Sequence, residues 1–196
     1  VLLAQAARFR GATVHLVHGS LDLPYAWLEG LQCTAVESAA ELGAALQLAQ
    51  PGSDVLVMAA AVADLRRDAA PPSKLAKQDL QQALVSGWAE VPDLLSNLTR
   101  QRRPGQLVLG FSALTGSDAH LLERAESKRL AKGCDLMMVN PVDRDGQGFG
   151  DQPNGGWLLG DGWRRELPVT AKLSLAHQLL DALVEARDQA AASMES

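Results

Sequence analysis

An aspartate and a lysine ten residues apart, Asp64 and Lys74, frame the part of this sequence where chemistry is most readily placed. Asp64 lies near the end of the stretch DVLVMAAAVADL, residues 54–65, in which an apolar run gives way to alanines and then to a carboxylate. A buried parallel strand has this composition where its carboxyl end opens onto a ligand, and open α/β sheets bind ligands in the crevice at those ends. The small side chains Ala59 to Ala61 let a ligand approach the backbone, while the acid and the lysine supply charge. From position alone, Asp64 serves equally well as a cap in the loop that follows.

The other candidates are basic or sit at element ends. Lys74 and Lys77 lie in PPSKLAKQ, which reads either as a solvated basic loop or as a loop that closes an ammonium over an anion. Lys128 and Lys132 are four apart and share one helix face. Near the end of a helix they read either as complements to its dipole, which composition alone favours, or as a two-pronged clamp for phosphate. Pro92-Asp93 at a helix start is favourable N-terminal chemistry and leaves backbone N–H groups for an anion. Phe111 follows the strand LVLG and suits either the core or a packing platform. GQGFG, 146–150, does not join a strand to a helix, so it is no dinucleotide fingerprint. His15 and His18 point to opposite faces of a strand, which argues against a metal pair. No Ser-His-Asp or Cys-His set emerges.

These residues need a scaffold, and the sequence alternates helices with apolar strands. VLLAQAARFRGA reads as an amphipathic helix ending at Gly11, followed by strands at 12–17 and 33–36. Ser38 stands three residues before Glu41, the capping-box spacing for a helix that Pro51-Gly52 stops. DVLVMAAAVA is the next strand, and a polar, Pro-containing segment, 66–79, interrupts the pattern. VPDLLSNLTRQRR predicts a helix with Pro92 in its first turn. QLVLGFSAL and DLMMVN read as buried strands around a helix that Ser117 caps and Gly133 closes. A Gly-rich loop, 144–156, leads to a hairpin turning at Asp161-Gly162. Thr170 opens a final helix, with a frayed, disordered tail expected over 190–196. The pattern predicts an α/β fold: a Rossmann-like, mostly parallel sheet covered by helices on both faces, with a C-terminal antiparallel hairpin.

The 196 residues fit one domain, 1–196, with no repeat. A net charge of −5 argues against a general nucleic-acid or membrane surface, so any anionic ligand must be held by a local group of cations. No apolar run reaches transmembrane length. Cys33 and Cys134, both in apolar runs, predict two buried free thiols and a cytoplasmic, reducing setting. The chain starts with Val inside a helical pattern, which suggests a fragment or a trimmed sequence.

The segments AAAVADLRR, SKLAKQ, VPDLL, LVLGFSALT, KRLAKGCDLMMVN and GQGFGDQPN together resemble successive motifs of phosphopantothenoylcysteine synthetase. This is the ligase half of the bifunctional coenzyme A biosynthesis flavoprotein of bacteria. The resemblance implies CTP-dependent ligation of 4′-phosphopantothenate and L-cysteine through an acyl-cytidylate, with Mg²⁺ shielding the triphosphate. Carried over by motif, Met58, Ala59 and Ala60 line the nucleotide, and Asp64 holds it by a polar contact. Lys74 stabilises charge in the transfer steps. Pro92, Asp93, Leu94 and Leu95 present backbone, Phe111 packs against the nucleotide, and Lys128 and Lys132 contact phosphates. The resemblance also implies a homodimer whose contact involves the Gly-rich loop and hairpin. The family's first strand, glycine turn and an asparagine-bearing segment would lie before Val1, as would the flavin-dependent half, so FMN is not expected here. Ala76, Leu114 and Arg67 stand where a lysine, a glutamate and a proline are usual. These departures leave a diverged nucleotide-binding relative without ligase activity as the alternative.

Overall fold

The computed structural model of the chain describes residues 1–68 and 76–194. In chain order its elements are α1 (Leu2–Phe9), β1 (His15–His18), β2 (Gln32–Ala35), α2 (Ala39–Ala49), β3 (Val55–Met58), β4 (Leu65–Arg67), α3 (Leu80–Val85), β5 (Trp88–Glu90), α4 (Leu94–Arg100), β6 (Leu107–Leu114), α5 (Asp118–Lys132), β7 (Leu136–Pro141), β8 (Asn154–Gly160), β9 (Trp163–Thr170) and α6 (Lys172–Met194).

A five-stranded sheet of order β3-β6-β7-β8-β9 forms the centre. The first three strands are parallel, and β8 and β9 join antiparallel. Strand alternation sends successive side chains to opposite faces, and both faces are apolar. Val108 of β6 and Met137 and Val139 of β7 meet Leu95 and Leu98 of α4 and Leu121 and Ala125 of α5. Leu107 and Leu109, with Leu136 and Met138, meet Leu175, Leu179 and Leu183 of α6, and Leu3 of α1 packs beside them. Each leucine fully buried contributes roughly 1.5–3 kcal/mol, so these two layers hold the fold. Helices on both faces of a mostly parallel sheet are the expected α/β architecture. Two short ribbons stand apart from the sheet: β1-β2, parallel, and β4-β5, antiparallel.

The helix ends follow local chemistry. Ser38 accepts from the Glu41 N–H at 3.2 Å to start α2, and the Glu41 carboxylate accepts from the Glu37 N–H at 2.8 Å. Gly133 closes α5 in the left-handed conformation, φ 68°. Ser117 stands at the start of α5 but makes no side-chain cap.

The structure corrects several sequence expectations. The strand at 54–63 is only Val55–Met58, because the alanines beyond Met58 carry no side chain large enough to pack into the sheet. Pro92 precedes α4 rather than lying in its first turn: Asp93 is the cap. Helix α6 runs through Met194, past the expected fraying point, because its alanine-rich end favours helix. Cys134 is buried, but Cys33 is exposed on the outer ribbon.

One buried charge anchors α5 to the sheet. The Arg129 side chain is only 5% exposed, and its guanidinium donates to both Glu126 oxygens, at 2.9 and 2.7 Å, and to the Cys134 carbonyl at 3.2 Å. The Arg129 hydrogen bonds hold the Glu126 carboxyl below its ordinary value of 4.5. The lowered value means the pair stabilises the fold fully above about pH 4.5 and loses that contribution as pH falls through the folded-state pKa. Glu126→Ala leaves Arg129 with the Cys134 carbonyl and a 3.9 Å ion pair to the exposed Asp161. It is expected to lower stability by roughly 1–2 kcal/mol at pH 7, less than a fully buried pair because Glu126 is partly solvated. Denaturant unfolding across pH 3–7 checks this. The loss should shrink toward the acid end, and a variant matching the parent at pH 7 would show that the pair does not anchor the helix.

Candidate functional site

Strand β3 stops at Met58, which pairs with Gly110, while β6 runs on from Phe111 to Leu114. Among the described residues, the β3 side of β6 has no strand partner beyond Met58, so the sheet steps down into a notch at its carboxyl end. The loop 59–64 forms the outer wall. The Asp64 carbonyl accepts from the Val91 N–H at 2.8 Å, which brings that loop against the approach to α4.

Helix α5 forms the inner wall. Three residues, 115–117, separate the end of β6 from its start, so it runs back along the strand it follows. Lys128 reaches the notch and donates to the Ser112 hydroxyl at 3.3 Å. Desolvation, with repulsion from Arg124 and Lys132, lowers the Lys128 pKa, and attraction from Asp64 opposes this. Lys132, one turn on, donates to Asp93 at 3.1 Å. Asp93 also accepts from the Ser96 N–H at 3.0 Å and the Ser96 hydroxyl at 2.7 Å. Burial pushes the Asp93 carboxyl up, but the Ser96 bonds and Lys132 outweigh it and hold it below its ordinary value. Capping by Asp93 uses the Ser96 N–H, leaving Leu94 and Leu95 N–H as first-turn groups without an intrahelical acceptor.

The structure therefore gathers Asp64, Asp93, Lys128 and Lys132 around one notch, and the Met58 side chain is buried in the core beneath it. Ala59 and Ala60 line its rim and are exposed. The Leu95 side chain is buried in the core, so only its backbone is available to a ligand. Phe111 lies on the opposite face, against the α6 layer, because it neighbours Ser112 in the strand. Lys74 falls outside the described residues. In the ribbon of β4 and β5, Arg67 pairs with Trp88, and the Asp68 N–H donates to the Gly87 carbonyl at 3.0 Å.

Sequence reasoning missed Ser112, Arg124 and the pairing of Asp93 with Lys132. Arg124 precedes Lys128 by four residues, so helical spacing was the available signal. Among the described residues no cluster of three or more His, Cys, Asp or Glu side chains offers a metal cage. A magnesium ion held mainly by a ligand's phosphates needs only one or two carboxylates. Asp64, exposed and without an ion pair among the described residues, fits that requirement.

The notch lies at the carboxyl ends of parallel strands, with two lysines on one wall, in an α/β domain whose mostly parallel sheet carries helices on both faces. The chain belongs to the family described as the DNA/pantothenate metabolism flavoprotein C-terminal domain, whose profile matches residues 1–186. It is 36% identical over 192 residues to the coenzyme A biosynthesis bifunctional protein CoaBC of Mycobacterium bovis, covering 93% of this chain and 44% of that protein. The Bacillus subtilis CoaBC is 34% identical over 181 residues, covering 91% of this chain and 42% of that protein. The chain thus spans less than half the length of these relatives. Among solved structures, the C-terminal domain of a CoaBC superposes with a TM-score of 0.75 at 26% identity, covering 96% of this chain and 83% of that one. A Cab2 mutant in complex with phosphopantothenate-cysteine shares the fold, with a TM-score of 0.69 at 12% identity, covering 99% of this chain and 78% of that one.

Proposed function

We propose that this chain is the ligase part of a coenzyme A biosynthesis protein and joins 4′-phosphopantothenate to L-cysteine at the expense of CTP. The observation that carries the reading is the pair Lys128 and Lys132 at the strand-end notch, in a chain of the CoaBC C-terminal family. In the first step the pantothenate carboxylate attacks the α-phosphorus of CTP. The bond from that phosphorus to the bridging oxygen breaks, and pyrophosphate leaves with the electron pair. In the second step the cysteine amine attacks the acyl carbon, CMP departs, and the amine loses a proton.

The residues act chiefly by position and charge. Met58, Ala59 and Ala60 line the nucleotide, and Leu94 and Leu95 offer it backbone N–H groups. Lys128 and Lys132 face the phosphates, Lys74 stabilises charge in the transfer steps, and Phe111 supports the strand end from the other face. Asp64 holds the nucleotide directly or through Mg²⁺, which when bound shields the triphosphate charge. The setting is cytoplasmic; no helix among the described residues is long and apolar enough to cross a membrane. A homodimer joined through the Gly-rich loop and hairpin is supported by the exposed Phe149 and Val169 there.

One observation favours a second reading, a nucleotide-binding relative without ligase activity. Leu114, where the family has a glutamate, is 5% exposed and belongs to the core. Pyrophosphate release by the full-length protein separates the two. With phosphopantothenate and CTP, release without cysteine should stop near one equivalent and become continuous when cysteine is added. ATP in place of CTP tests the nucleobase. Nucleotide binding without release from either nucleotide would leave the second reading standing and remove the first.

A further inference from the structure

Helix α5 carries a third cation on the side of the notch. Arg124, Lys128 and Lys132 recur every four residues, so at 100° per residue they fall within an arc of roughly 80° on the helix surface. Lys132 is paired with Asp93, and Lys128 is hydrogen-bonded to Ser112. Arg124 is exposed and forms no hydrogen bond or ion pair among the described residues. Its helical neighbours three and four positions away are His120, Leu121, Ser127 and Lys128, so no carboxylate on its own helix faces it.

Height along the helix fixes what it can meet. Helix α5 runs back from the carboxyl end of the sheet, so moving from Lys132 to Arg124 climbs toward the mouth of the notch. One step of four residues rises about 6 Å. From Ser112, which marks the level of Lys128, two strand residues to Leu114 also rise about 6.6 Å. Arg124 therefore stands level with the end of β6, where the notch opens to solvent. A chain of linked phosphates starting beside Lys128 leads outward to it.

We propose that Arg124 binds the terminal phosphate of the nucleoside triphosphate and the pyrophosphate formed from it. The inference rests on the ligase reading and adds a binding residue to it. A guanidinium suits this position because it stays charged and grips two phosphate oxygens at once. It takes up charge that shifts onto the departing pyrophosphate, whereas a nucleoside monophosphate is too short to reach it.

Equilibrium binding to the full-length protein, with inorganic pyrophosphate and cytidine monophosphate as separate probes, tests this without relying on turnover. Arg124→Gln should weaken pyrophosphate binding about tenfold, leave cytidine monophosphate unchanged and keep the same thermal midpoint. Arg124→Lys should restore part of the loss. Undiminished pyrophosphate binding by Arg124→Gln, equal weakening of both probes, or a parent protein that does not bind pyrophosphate would each overturn the inference. Failure of the ligase reading is seen separately, as the absence of pyrophosphate release by the parent protein.

Discussion

Alanine at Gly156 is expected to destabilise the fold by about 4 kcal/mol or more, enough to lower the thermal midpoint by roughly 8–16 °C in a chain of this size. Gly156 has φ 142°, a conformation essentially confined to glycine. It sits beside a register shift in the β8-β9 pairing, between Asn154 and Gly156. A Cβ there would overlap the Val139 carbonyl oxygen and lie 3.1 Å from Pro141 Cδ. Both are parts of β7, the middle strand of the sheet, so there is no surface side chain to move aside. The comparison variant is Gly52→Ala, where the backbone is not left-handed and nothing lies within 4 Å of the added carbon. That change should be close to neutral. If both variants melt within about 2 °C of the parent, the close approach of β8 to β7 is not needed for stability.

The same packing explains how much of the molecule could be read in advance. Strands β6 and β7 are legible because each is an unbroken apolar run, and burial on both faces demands that composition. Helix α5 is legible from its spacing and from Gly133 at its end. The β4-β5 ribbon is not. LRR and WAE are three-residue strands without a useful periodicity, and long-range contacts hold them together. Arg67 donates to the Ala83 and Ser86 carbonyls, and its guanidinium lies 5.3 Å from the Trp88 ring.

At the site, the four-residue spacing of Lys128 and Lys132 put both on one helix face. Their partners were hidden by separation: Ser112 is 16 residues from Lys128, and Asp93 is 39 from Lys132. Phe111 shows the reverse case. Its place beside Ser112 in a strand already requires the two side chains to face opposite ways. The family resemblance implies a nucleotide contact for Phe111 as for the lysines, whereas strand alternation sets its side chain against the α6 layer.

Lys128→Met should separate stability from function. Its ammonium is partly desolvated and faces Arg124 and Lys132, so the folded protein binds its proton less tightly than the unfolded chain does. The sign of the linkage follows. The cost is fully present below the lowered folded-state pKa and disappears as pH rises past the ordinary lysine value of 10.5. Methionine keeps the length of the side chain and removes the charge. It should make the protein as stable as the parent at pH 7 or more stable by less than about 1 kcal/mol, with the difference closing above pH 10.5. A bound phosphate reverses the balance: it favours the charged lysine and gains from its partial burial. Pyrophosphate release should therefore fall by about 10²- to 10³-fold, although the variant is no less stable. Urea unfolding at neutral and alkaline pH, paired with the release assay, reads both effects. Loss of turnover with a matching loss of stability would make Lys128 a structural residue, and full turnover would remove it from the phosphate site. The combination of lost turnover with retained stability is expected only if Lys128 is held ready for an anion that the protein alone does not supply.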